Sequence, residues 1–156
     1  MIAIIVVALV TFFAAIALTV VYVFVFGSKN PALKGSEVLV GGKSFSVEVA
    51  TSAVERARGL SGRESLGDGE GMYFIFDKAG DYGFWMKDMK FPIDIIWISG
   101  GKVVGIAPNA EPEPEKPVWN LKIYYPPEPV DRVLEINSGV VDKDKIKIGD
   151  SVIVQY

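Results

Sequence analysis

The first 28 residues, Met1 to Ser28, contain no charged side chain, although the 156-residue chain carries 16 basic and 19 acidic ones. Their run MIAIIVVALVTFFAAIALTVVYVFVF is interrupted only by Thr11 and Thr19. As a helix rising 1.5 Å per residue it would extend about 39 Å, against a bilayer core of about 30 Å. A helix apolar on every face is also hard to bury in a domain of about 128 residues. A cleaved signal peptide would need a basic n-region, a shorter apolar core and a small-residue cleavage site; Tyr22-Val23-Phe24-Val25-Phe26 supplies none of these. The segment therefore predicts an uncleaved single-pass anchor over residues 1–28, with the lipid bilayer as its partner. Tyr22, Phe24 and Phe26 would then sit near one interface and Lys29 in the headgroups beyond it. Lys29, Lys34 and Lys43 lean the rest of the chain weakly toward the cytoplasm.

All 35 charges fall in the remaining part, which suits one globular domain. The chain has no cysteine and no histidine. Disulfides, thiol nucleophiles, Ser-His-Asp triads and His/Cys zinc sites are thereby excluded. A net charge of −3 without a basic stripe argues against a nucleic-acid partner. No metal or other cofactor is expected. Asp142-x-Asp144 and the Gly67–Gly71 turn lack the ligand spacing of a calcium loop, and Gly100-Gly101-Lys102 lacks the rest of a phosphate-binding loop.

Residues 29–43 read as a linker with one short apolar run, Val38-Leu39-Val40, and residues 44–156 as the domain. Phe45–Val49 alternates apolar and polar with the period of a half-buried strand. Residues 51–59 read as one short helix, with Ser52-x-x-Glu55 as a capping box and Gly59 just past its end. Further strands are expected at 72–76, 83–87, 93–98, 103–106, 132–136 and 151–154, with a hairpin turn at Ser99-Gly100-Gly101. The pattern is that of a β-rich α+β domain, compact and barrel- or sandwich-like. Six of the nine prolines lie between Pro112 and Pro129. That stretch is expected to be an extended loop rimmed by Glu111, Glu113 and Glu115, either a solvated connector or one edge of a binding surface.

A spaced series of residues now stands out: Arg56-x-x-Gly59-Leu60, Arg63-x-x-Leu66, Gly71-Met72-x-Phe74-x-Phe76, Phe84-Trp85-Met86-Lys87 and Pro92-x-Asp94. Val133-Leu134-Glu135-Ile136-x-x-Gly139 and Ile148-Gly149-Asp150-x-Val152 follow. Over about residues 44–154 this series resembles the domain-of-unknown-function family 192. Ser61 stands where many members have Met, and Asp88-Met89 where Asn-Thr is common. The resemblance implies a compact β-rich fold, often following a signal peptide or anchor, and it implies no established reaction. Because such domains are often exported, it turns the expected placement of the domain to the extracytoplasmic side.

Strand alternation would put Trp85 and Lys87 on one face and Phe84 and Met86 on the other. Trp85 is either packed under a loop or the floor of a pocket with Lys87 at its rim. Asp94 and Glu135 each border strongly apolar runs, as structural carboxylates or as pocket groups. The expected groove gathers Arg56, Trp85, Lys87, Asp94 and Glu135, with Tyr124 and Tyr125 along its edge. Two functions fit it: a membrane-anchored binding or accessory module for a small molecule, saccharide or peptide, or a hydrolase or lyase using Asp94 or Glu135. Without histidine the second lacks the commonest general base near neutral pH.

Overall fold

The computed structural model describes residues 36–155. The expected anchor lies outside them, and among the described residues no helix is long and apolar enough to cross a membrane. Strands dominate the described chain. In order they are β1 (Ser36–Val40), β2 (Lys43–Ala50), β3 (Glu70–Gly80), β4 (Phe84–Trp85), β5 (Ile93–Ser99), β6 (Lys102–Ala110), β7 (Ile123–Tyr124), β8 (Val130–Asn137) and β9 (Val152–Gln155). Helix α1 (Ala53–Arg58) joins β2 to β3, a 3₁₀ turn covers Val118–Asn120, and helix α2 (Val140–Asp144) follows β8.

Seven strands form one sheet in the order β6-β5-β8-β3-β2-β1-β9, and β4 pairs only with β7. The sheet is curled into a half-barrel. At one end its two outer strands come together, through the bridge Lys102↔Ser151 and the bonds Val103 N–H to Asp150 O (3.0 Å) and Val152 N–H to Gly101 O (2.8 Å). One face buries Val38, Val47, Ile96, Leu134, Ile136 and Val141; the other buries Phe74, Met86, Ile95, Trp97 and Val133. Neighbouring residues of β5 and β8 feed opposite faces, as the period-2 pleat requires. Both strands are central, which is why Ile95-Ile96-Trp97-Ile98 reads as continuously apolar rather than alternating.

The linker expectation is corrected at its C-terminal end. Residues 36–40 are a full strand, paired on one side with β2 and on the other with β9, and Val38 and Val40 are wholly buried. Three apolar residues in a row carry no period, so only the flanking strands reveal which side chains point inward. The expected strand at 83–87 shrinks to Phe84–Trp85, while those at 72–76 and 103–106 extend to 70–80 and 102–110. A second helix, α2, stands where an acidic turn was expected; it is five residues long and Gly139 begins it at φ +80°.

Candidate functional site

The site is built on the end of α1. The capping box closes as expected: Ser52 Oγ accepts from Glu55 N–H (3.2 Å) and Glu55 Oε2 accepts from Ser52 N–H (2.9 Å). Gly59 stops the helix at φ +51°, ψ −135°, a conformation open to glycine, and its N–H donates to Glu55 O (2.9 Å). A β-carbon there would lie 3.5 Å from Phe74 Cζ and 3.9 Å from Glu135 Oε2. The missing side chain thus leaves room directly over Phe74 and Glu135.

That room is a cavity of about 60 Å³, lined by the turn Arg56–Ser61, by Phe74 and Glu135 from the sheet, and by Phe84, Trp85 and Met89. Phe74 and Phe84 meet edge to face, their centroids 5.0 Å apart. Phe76, stacked on Tyr82 at 3.6 Å, carries the Arg56 guanidinium 4.9 Å above its ring. Arg56 Nη1 donates to Thr51 O and to Ile75 O (2.9 Å). Trp85 closes the side of the cavity and remains 44% exposed.

Glu135 is the unusual member. It lies in the middle of the sheet, opposite Met72 on one side and Ile95 on the other, and is only 5% exposed. Among the described residues no donor reaches its carboxyl. Burial pushes its pKa up to about 8, so the group is largely protonated at neutral pH. One strand beyond Met72, Glu48 occupies the same row but is gripped by both Nη atoms of Arg63, at 2.6 and 2.7 Å.

Of the residues expected from sequence, Arg56, Trp85 and Glu135 come together here. Tyr124 and Tyr125 flank the site from β7 and the turn after it, since Phe84 pairs with Tyr124 and Trp85 with Ile123. Tyr124 is half-buried beneath the Lys122 ammonium, 4.2 Å from its ring; Tyr125 is exposed. Lys87 points elsewhere. It pairs with Asp88 and lines a separate open cleft of about 340 Å³ with Glu113, Lys116 and Val118.

Asp94 is corrected. The register Asp94↔Ile136 and Ile95↔Glu135 puts it on the opposite face of the sheet from Glu135. There it is fully buried and accepts from Asn109 N–H (2.8 Å) and Val141 N–H (2.9 Å), tying the end of β6 to the start of α2. Its partner is the backbone rather than Lys87 or an arginine, because two inward-facing amides need an acceptor that a bare strand cannot give. Sequence reasoning overlooked Arg58 and Met89 in the wall, and the Glu48–Arg63 fork beside it. The signal for the wall was the Arg56-x-x-Gly59-Leu60 spacing, which puts a glycine and two arginines on one turn.

The family DUF192, described as an uncharacterized ACR, matches residues 36–154. That match spans most of the chain, and the chain belongs to this family. Its solved relatives include a protein of unknown function from Novosphingobium aromaticivorans DSM 12444, 35% identical, with a TM-score of 0.68 over 75% of this chain and 83% of that one. A second, from Sinorhizobium meliloti 1021 and described as a candidate transcription regulator, is 29% identical, with a TM-score of 0.68 over 78% of this chain and 95% of that one. No curated protein matches the chain.

Proposed function

We propose that this member of the DUF192 family is a membrane-anchored binding module. In this reading residues 1–28 hold the domain at the extracytoplasmic side of the bilayer, and the cavity over Glu135 receives the head of a small ligand. One observation carries the reading: Glu135 is buried and has no hydrogen-bond partner among the described residues, yet it lies at the wall of an open cavity. An unpartnered buried carboxyl is costly to a fold and is ordinarily paired away. At about 60 Å³ the cavity admits a group of a few heavy atoms. The remainder of a ligand would lie across the exposed face of Trp85 and along Tyr125. A small-ligand screen on the full chain in detergent micelles, read by NMR shift mapping, tests this. Shifts gathered at Gly59, Trp85 and Glu135 support it, and shifts confined to the Lys87 cleft or scattered over the surface overturn it.

The raised pKa of Glu135 favours one second reading, in which it serves as general acid or base of a hydrolase or lyase. A paired-carboxylate mechanism would need a partner carboxylate, and Asp94 faces the other side of the sheet while Glu48 is held by Arg63. Turnover of any glycoside or ester that is lost in Glu135→Gln would establish this reading over simple binding.

A further inference from the structure

Resting on the binding reading above, we infer that the head group received at Glu135 is an ammonium, primary or methylated, held between the carboxyl and the rings of Phe74, Phe84 and Trp85. The cavity supplies the two things such a cation needs. A carboxyl of which almost nothing is exposed supplies the counter-charge, and three aromatic side chains line the wall. Aromatic faces within about 6 Å attract cations, most strongly when water is excluded. The remaining wall is the end of α1 and the turn after it, Arg56 to Ser61.

Most of the charges around the carboxyl are committed to other partners. From β3 it meets Met72 and from β5 Ile95, neither of them ionisable. On its own strand Arg132 turns away, to Phe76 O and Asp131, and Asp94 lies on the far face. On α1, Arg56 is committed to two backbone carbonyls and the Phe76 ring, and Arg58 stands in the wall. Further off, Glu48 and Arg63 neutralise one another. Burial is the cause of the raised Glu135 pKa. An anionic head would have to bind beside a carboxyl that ionises near pH 8, whereas an ammonium can pair with the ionised form. An ammonium enters by exchange: the protonated carboxyl gives up its proton to solvent, the carboxylate pairs with the incoming cation, and the charge inside the cavity stays balanced.

The exchange dictates the test. Methylammonium chloride is titrated into the full chain in micelles, with binding read from the Trp85 indole resonance, at several pH values and in buffers of different ionisation heat. Affinity should rise about tenfold per pH unit up to about pH 8 and then level off. Below that pH one proton should be released per cation bound. Sodium acetate at the same concentrations should leave the indole unmoved. Glu135→Gln, which keeps the shape and removes the charge, should abolish methylammonium binding while the backbone spectrum stays native. Acetate binding that strengthens as pH falls would overturn the ammonium assignment and leave the binding site standing. Methylammonium affinity independent of pH, or retained in Glu135→Gln, would also overturn it. If neither probe moves Trp85, while other screened ligands do, the ammonium assignment alone falls; if nothing binds there at all, the binding reading falls with it.

Discussion

Two buried carboxylates in this domain have opposite fates, and the difference is a matter of which face of the sheet each side chain takes. Asp94 is saturated by two backbone amides, so it is structural. Asp94→Ala strands both amides in the interior and should cost about 2–4 kcal/mol in a denaturant melt. Asp94→Asn, which keeps one acceptor oxygen, should cost clearly less, and neither should alter ligand-induced shifts at Trp85. Glu135 is unsaturated, and its pKa rises from 4.5 to about 8 on folding. The folded state therefore holds a proton that the unfolded chain has lost across that interval, and stability falls as pH rises through it. Its contribution is intact below about pH 4.5 and fully lost above about pH 8, a span of up to about 5 kcal/mol for a shift of this size. Melts of wild type and Glu135→Gln from pH 4.5 to 9 should show the substituted protein gaining relative stability as pH rises. Parallel profiles would mean that Glu135 is already ionised in the folded protein.

At the scale of the element, a six-residue helix is too short to persist on its own. Its capping box and glycine stop hold α1 in place, and through it the cavity wall. Ser52→Ala removes one half of the box and should cost about 1 kcal/mol. Gly59→Ala should do more damage to function than to folding. It forces a β-carbon into a backbone region suited to glycine, at about 1–3 kcal/mol. It also puts a methyl 3.5 Å from Phe74, inside the cavity, so ligand-induced shifts at Trp85 should vanish even where the domain remains folded. Strand β1 makes the complementary case. Because Val38 and Val40 are wholly buried and β1 bridges β2 to β9, a chain truncated to begin at Ser36 should fold, whereas one beginning at Gly41 should not. Circular dichroism of the two truncated proteins distinguishes the domain boundary at 36 from one at 44.

At the scale of the whole molecule, the described domain has no cysteine with which to form a disulfide, and its stability must come from the two apolar faces of one curled sheet. Thermal unfolding should therefore be unaffected by reductant or chelator. The proposed anchor makes a separate expectation. Intact mass of the membrane-extracted protein should correspond to the full 156 residues, and protease added to intact cells should reach the domain. A mature chain beginning near Ser28 would show that the apolar segment is cleaved.

Local and periodic information sufficed for much of this molecule. The β-rich class follows from period-2 alternation and closely spaced turns; α1 and both its ends follow from Ser52, Glu55 and Gly59, whose interactions span at most a few residues. Arg56, Trp85 and Glu135 were legible as candidates because charged or amphipathic residues beside apolar runs stand out in one dimension. Their convergence was not. It depends on β8 lying between β3 and β5, strands brought together across tens of residues, and on the pairing offsets that decide which alternate residues share a face. A shift of one residue in the β5–β8 register would exchange the faces of Asp94 and Ile95 relative to Glu135. Sequence thus determined which residues were chemically conspicuous, while strand order and register decided that Asp94 serves the fold and Glu135 the cavity.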